Sequence, residues 1–503
     1  MKATGSLFPI LLSCLLLAAS SNGQSLASST PIDSWKTSTP EAQGIDSRVL
    51  LQMFQDIQAK GGGGLHSLLI VRNGYLVAEG YIAPYHKDTL HNIKSASKSV
   101  LSALVGIALE KKKLKSLDQK VAEFYPDYIN EPRKRDITLR HLLTMTAGLD
   151  WNNDREMGGG VPPYDLEEWK TVPMRDDPGT KYVYNTMLVH MMSAILTKAT
   201  GESTREFADS VLFGPLGISA VEWSKDNKGI YIGGSELFLK PRDMAKFGQL
   251  YLDGGAWNGR QVVPKAWVSE STTPKTAIGL DSCSGSPISY GYWWWIPSRT
   301  FQARGANGQY IIIRPDLDMV VVATSEDQCA ALPYLSPYMF RAASGPLPAN
   351  PQGVKELQRV LGVMENPPAK VIARLPAVAA RISGKKYALM PNEMGMQSMV
   401  LTFRDGGQCT AEVVLGKTTI RFPIGLDGKF RFADSGISFG NNSKLSRIAS
   451  VGSWVNDRTF EFKFHILGDV VTQNFSLSFA GDDLSLNIGD AFSTKHFSGK
   501  KFD

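Results

Sequence analysis

The chain reads as α/β of the α+β kind, with a separate small antiparallel β domain towards its C-terminal end. Three observations predict this. Apolar runs at 68–71 and 75–77 flank Arg72-Asn73-Gly74, and Asn-Gly between apolar runs is a strong hairpin signal. A helix follows from about Ser95 to Lys111, because Val100, Leu101, Leu104, Val105, Ala108 and Leu109 recur at helical spacing. Beyond about residue 380 the texture changes to alternation, as in Phe460, Phe462 and Phe464 or Leu484, Leu486 and Ile488.

In chain order, residues 1–23 read as an export signal: Lys2 gives the positive start, and an apolar run from Leu7 to Ala19 is too short to span a bilayer. Ser21 and Gly23 have the small-residue spacing of a signal-peptidase site, which places cleavage before Gln24 and the mature chain in the periplasm or outside the cell. A lipoprotein reading of Cys14 is disfavoured because the apolar run continues past it. Residues 24–45 are polar and Pro/Ser/Thr-rich, an extended arm, and 46–345 form the main domain. Within it, about 115–270 is mostly helices and turns. Strands are expected at 290–295, 310–313 and 319–323, with turns at Asn307-Gly308 and Pro315-Asp316. A Pro-rich linker at 346–379 carries one short helix near 355–363, and 380–503 is the β domain, with turn signals at Asp427-Gly428 and Gly481-Asp482.

The 503 residues, 43% hydrophobic and 20% charged, suffice for full cores in two or three domains. A net charge of +6, spread along the chain, gives no nucleic-acid signal. The run Glu110 to Lys115 reads as the cationic end of the helix that starts at Ser95. No later stretch is long and apolar enough to span a membrane. The seven histidines form no ligand pair of the H-E-x-x-H type, so no metal and no cofactor is expected. Of the cysteines left after cleavage, Cys283 and Cys329 flank one predicted hairpin region and are the pair to form any disulfide. Three unpaired thiols, with Cys409 the third, is the competing reading.

The chemistry begins at Ser95-Ala96-Ser97-Lys98. Serine and lysine three apart share one helical face, close enough for the amine to take the hydroxyl's proton. Ser-x-x-Lys also occurs at Ser383 and Ser498, but only Ser95 opens an apolar helix, where unsatisfied N–H groups and the helix dipole favour a developing anion. The bland reading is a helix cap beside a solvent-facing lysine. A second segment, 178–186, sets Tyr184 after a Pro-Gly turn and before a helix, placed to relay a proton or else to pack in the core. A third, Ala303-Arg304-Gly305-Ala306-Asn307-Gly308, enters a strand. There Gly305 lets a carbonyl lie close, and the Ala306 N–H can join that of Ser95 as an oxyanion hole.

In this order and separation, the three segments resemble the serine β-lactamase and penicillin-binding-protein family, most of all its class C-like esterase and hydrolase branch. His91-Asn92-Ile93-Lys94 before the serine, Ile137 to Leu149, Pro241 to Gly248 and Val262-Val263-Pro264 agree, so the likeness spans about 40–340. The resemblance implies an antiparallel sheet flanked by helices, an inserted helical lobe, and an active site between sheet and lobe. It also implies an acyl-serine route: Ser95 as nucleophile, Lys98 as its partner in deprotonation, Tyr184 as relay to the leaving group, and the Ser95 and Ala306 N–H groups holding the oxyanion.

Two departures bear on substrate. The family's Tyr-x-Asn is Tyr184-Asn185-Thr186 here, so a hydroxyl replaces an amide, and its Lys-Thr-Gly is Ala303-Arg304-Gly305, so the lysine is absent. Both weigh against efficient antibiotic hydrolysis, and Arg304 becomes a candidate to pair with a substrate carboxylate. Thr186, Arg304, Gly305 and Trp151 are the substrate-binding candidates. The run Tyr292 to Trp295 reads as core, with Trp293 and Trp295 on one strand face and Trp294 on the other; cleft lining is the alternative. The expected activity is hydrolysis of a small-molecule or peptide ester or amide. A DD-peptidase or β-lactamase is the runner-up, and a catalytically silent binding or sensor protein on this fold is the reading of another class. Oligomeric state stays open.

Overall fold

In the computed structural model, Asn73 and Gly74 turn the chain at φ of 50° and 75°, the positive pair that a two-residue hairpin loop requires. They join β1 (Leu65–Arg72) to β2 (Tyr75–Tyr81). The residues described are 35–151, 165–219, 221–372, 374–404, 407–435, 447–470, 472–490 and 493–502. The expected leader and the first half of the expected arm lie outside them. The arm's described remainder runs along β2, with the Leu76 N–H donating to Lys36 O at 2.9 Å.

Among the described residues, six further strands complete the first sheet: β3 (Thr276–Leu280), β4 (Pro287–Tyr290), β5 (Trp295–Pro297), β6 (Phe301–Gly305), β7 (Gln309–Arg314) and β8 (Met319–Ser325). Their order is β2-β1-β8-β7-β6-β5-β4-β3, antiparallel throughout, so strands from the two ends of the domain pair side by side, with Leu68 opposite Ala323. Helices cover both faces. On one lie α1 (Ser47–Ala59), which buries Leu50, Met53, Phe54 and Ile57 at helical spacing, and α5 (Pro351–Glu365). On the other lie α2 (Ser97–Glu110), α3 (Thr186–Thr200) and α4 (Pro241–Leu252). The helix α2 is buried all round from Ser97 to Ala108, the mark of a central helix. The run Lys111 to Lys113 beyond its C-terminal end is exposed.

Two expectations are corrected here. Tyr292 to Trp294 do not extend a strand: the chain bends between β4 and β5 with Trp293 at φ 64°, and the Trp293 indole donates to Leu142 O at 3.0 Å. Alternation therefore does not set their faces. Trp293 and Trp294 are core, whereas Trp295 is half-buried. The helix expected to be short near 355–363 is α5, fifteen residues capped by Asn350, with Leu357, Val360 and Met364 packed into the core shared with α1.

Among the described residues, the C-terminal β domain is a ten-stranded sheet curled into a barrel. They are β9 (Lys386–Leu389), β10 (Met396–Arg404), β11 (Gln408–Leu415), β12 (Thr418–Gly425), β13 (Arg431–Asp434), β14 (Arg447–Trp454), β15 (Thr459–Ile466), β16 (Thr472–Ala480), β17 (Asp483–Gly489) and β18 (Thr494–Phe502). The sheet curls until β12 meets β14 at Gly425 and Val451. Side chains fill the interior, with Phe462 stacked on Phe475 at 4.4 Å and the free Cys409 thiol pushed up to about 12 by burial.

The barrel docks through the end of β15 and the turn after it. His465 Nδ1 lies 3.4 Å from the Tyr85 hydroxyl, Tyr85 stacks on His66 at 3.8 Å, and His91 sits 5.1 Å from the Tyr85 ring. Burial holds the His66 imidazole well below its usual range and pushes His91 down to about 4. Burial, then the nearby Lys463 charge, pushes His465 down to about 3.

Candidate active site

The segment before Ser95 is fixed on every side. The Ile93 N–H donates to Leu237 O at 2.9 Å, and the Asn92 side chain accepts from the Lys94 N–H and donates to Glu236, each at 3.0 Å. The Asn92 N–H donates to Gly468 O of the barrel at 2.8 Å, and Lys94 Nζ lies 3.4 Å from Asp469. Lys94 takes φ of 49°, which bends the chain into the 3-10 turn Lys94–Ala96 ahead of α2. Ser95 thus stands, half-buried, at the positive end of a buried helix.

One turn on, Lys98 points inward rather than to solvent, with 1% of its surface exposed. Its Nζ is 2.8 Å from Ser95 Oγ and 2.8 Å from Gly234 O. Burying an amine with so few partners is costly, which sets this lysine apart from a surface residue. The ring of Tyr184, just ahead of α3, lies 4.9 Å from the same Nζ, and the Asn185 side chain caps α3 by accepting from the Met187 N–H at 2.8 Å. Tyr184 is half-buried and leans on Trp295 at 5.8 Å and Tyr290 at 6.2 Å. Burial drives the neighbouring Tyr182 and Tyr290 phenols far up, so both stay protonated over any working pH.

Across from the serine, β6 ends at Gly305. A Cβ there would sit 2.2 Å from Ile93 O, so only glycine lets the strand end close against the segment that carries Ser95. Ala306, exposed, opens the turn to Gln309, with Asn307 and Gly308 at φ of 60° and 81°. A serine, a buried amine, a phenol and a strand end with free approach can support attack on a carbonyl and movement of the proton it releases.

The other candidates stand elsewhere. Thr186 is 1% exposed and its hydroxyl makes no hydrogen bond among the described residues, so it is sealed beneath the cleft rather than presented to a ligand. Trp151 is packed into the core beside the helices. Arg304, the candidate for a substrate carboxylate, already pairs with Asp281 and donates to Gln302 at 2.7 Å, while its guanidinium lies 5.6 Å from the Trp295 and Tyr310 rings. Burial raises the Asp281 carboxyl, but the bond and charge from Arg304 and the Ser284 N–H outweigh it and hold it below the usual range. The charge of Arg304 is spent within the protein. Gly234, Asp281 and Asp469 escaped the sequence reading; each acts through a contact far along the chain that no local pattern announces.

Among the described residues no group of three or more His, Cys, Asp or Glu is arranged to hold a metal ion, and no helix is long and apolar enough to cross a membrane. Cys283 and Cys329 are joined in a disulfide.

Fold and site together define a serine-hydrolase-type chain, and comparison with known proteins gives its family. The family model described as Beta-lactamase matches residues 51–331; the chain belongs to that family. It is 25% identical over 285 residues to the 6-aminohexanoate-dimer hydrolase of Paenarthrobacter ureafaciens, covering 52% of this chain and 72% of that one. It is likewise 25% identical over 301 residues to an uncharacterized protein of Alkalihalophilus pseudofirmus, covering 51% and 82%. Among solved structures, an octameric penicillin-binding protein homologue from Pyrococcus abyssi is similar at 16% identity and a TM-score of 0.46, covering 91% of this chain and all of that one. A penicillin-binding protein homologue from Caulobacter crescentus is similar at 17% identity and a TM-score of 0.49, covering 59% and 96%.

Proposed function

We propose that the protein hydrolyses an ester or amide through an acyl-serine intermediate. The observation that carries this reading is the buried Lys98 Nζ 2.8 Å from Ser95 Oγ, beneath the ring of Tyr184. Lys98 takes the Ser95 proton as Oγ bonds to the carbonyl carbon, and the oxygen's new charge rests on the Ser95 and Ala306 N–H groups. Lys98 gives that proton back through the Tyr184 hydroxyl to the departing alkoxide or amine; in the second half Tyr184 and Lys98 take a proton from the water that attacks the acyl carbon and return it to Ser95 Oγ as the acid leaves. Arg304 is neutralised by Asp281, and Ala303 stands where the family has lysine, so the cleft has little to offer an antibiotic carboxylate. That favours esters or neutral amides over β-lactams. The name of the Paenarthrobacter relative adds a linear amide, the 6-aminohexanoate dimer, to the substrates to try. The expected leader and the Cys283–Cys329 bond support an exported protein.

The test is hydrolysis of nitrophenyl acetate, the 6-aminohexanoate dimer and a chromogenic cephalosporin by wild type and Ser95→Ala. Ester or amide turnover that falls at least about 1,000-fold in the variant, with little cephalosporin turnover, is expected. Efficient Ser95-dependent cephalosporin cleavage overturns the substrate preference, and turnover that survives in Ser95→Ala overturns the acyl-serine route.

A further inference from the structure

The Cys283–Cys329 disulfide joins two loops that grip the strand end at Ala306 from opposite sides. Cys283 lies in the turn between β3 and β4. Its N–H, at 3.1 Å, and that of Ser284, at 2.8 Å, fix the Asp281 carboxylate, which in turn holds Arg304, two residues before Ala306. Cys329 lies in the loop after β8, where its N–H donates to Asp327 at 2.9 Å. That loop accepts the Asn307 side-chain amide on Glu326 O at 3.2 Å. It also crowds Gly308, where a Cβ would come 2.3 Å from Asp327 O, and the Gln309 side chain reaches Ser325 O at 2.6 Å. Arg304, Asn307 and Gly308 are thus each held by a loop that carries one half of the disulfide, and Gln309 by the end of β8 that leads into one of them.

The β3 side needs the tie. β3 is the outer strand of the sheet, half exposed along its length, and Leu280 at its end is 70% exposed. An edge with so few buried contacts opens readily when nothing anchors it. Donors that must meet a developing oxyanion tolerate little displacement, since misplacement by about 1 Å can cost about 100-fold.

We propose that Cys283 and Cys329 are positioning residues for the oxyanion hole: their bond fixes the Ala306 N–H at the cleft through the Asp281–Arg304 pair on one side and the Asn307–Glu326 contact on the other. This rests on the acyl-serine reading. Both half-cystines are half-buried and open to a reductant. Dithiothreitol reduces the bond by exchange: its thiols give up two electrons and two protons to close its own cyclic disulfide, and Cys283 and Cys329 become thiols.

The experiment measures kcat and KM for nitrophenyl acetate, per active site titrated with a fluorophosphonate, or per protein for Ser95→Ala, which has no serine to titrate. It compares wild type, the Cys283→Ser/Cys329→Ser double variant, Asp281→Asn and Ser95→Ala, with and without dithiothreitol. Expected in the double variant is a kcat at least about tenfold lower, with KM within about twofold and no further response to dithiothreitol. Reduced wild type matches it and recovers on reoxidation, and Asp281→Asn loses kcat with its disulfide intact. An unchanged kcat per active site in the double variant overturns the proposal. Should that variant fail to fold, wild type is read at the dithiothreitol concentration that frees two thiols. A fall in kcat with the circular dichroism unchanged upholds the role, and a kcat that holds, or falls only with the dichroism, overturns it. Loss of turnover in Ser95→Ala beside an unaffected double variant sinks the positioning role alone, whereas turnover in Ser95→Ala sinks the acyl-serine reading and this one with it.

Discussion

The two sheets of this molecule bury their residues in different ways. Every residue of β1 and of β8 is buried, Leu69, Val71, Val320 and Val322 against the helices around α2 and Leu68, Ile70, Val321 and Ala323 against α1 and α5. In the barrel, Phe460, Phe462 and Phe464 of β15 face the packed interior while Glu461 and Lys463 between them are exposed. A sheet covered on both faces loses the period of two, and one that keeps a face in water retains it. The chemistry sits at the end of β6 in the doubly covered sheet, where a buried polar group such as the Lys98 amine can be held.

Substitutions can break this contrast. The largest effect is expected inside the barrel: Phe462→Ala, which removes a ring stacked on Phe475, should cost about 3–5 kcal/mol. In β1, both Leu69→Ala and Ile70→Ala should cost about 2–5 kcal/mol although they are neighbours, because each enters a different core. Urea unfolding measures all three, and a neutral Leu69→Ala or Ile70→Ala would mean that one face of the sheet is less tightly covered than described.

Next in size is the seam between the two regions. His66, His91 and His465 titrate near 6.5 when unfolded but lower when folded, so below that pH the unfolded chain binds more protons. The stabilisation from keeping them neutral is complete above about pH 6.5 and is lost as pH falls towards the folded values, by about 2 kcal/mol at pH 5 for each of His91 and His465. Urea unfolding at pH 7 and pH 5 should show this loss, and His465→Asn should shrink it; an equal loss in that variant would remove His465 from the account. The smallest effect sharpens the contrast: Lys463→Ala, one residue from Phe462 on the water face of β15, should stay within about 0.5 kcal/mol.

What the sequence reveals follows the same division. The Asn73-Gly74 hairpin, the helix after Ser95 and the alternating strands of the barrel are written in local spacing, and so is the Ser95–Lys98 pair. The bend at Trp293 is not, because its positive φ is imposed by distant partners, among them Leu142 O. The length of α5 depends on its seat against α1, which proline content alone conceals. Arg304 reads as a free cation until Asp281, placed by a different hairpin, neutralises it. Side-chain identity was legible; which charge meets which was set by contacts across the fold.

The pairing of β1 with β8 also dictates an order of events. Leu68 finds Ala323 only after the whole of the intervening lobe has been made, so the β1–β2 hairpin spends that interval with one long apolar edge unpaired. Closing so large a loop costs entropy before any contact repays it, and chains dominated by such pairings fold slowly. A growing chain of this protein is therefore exposed to strand-to-strand association until residue 325 emerges, and a fragment ending before β8 should aggregate where the full chain does not.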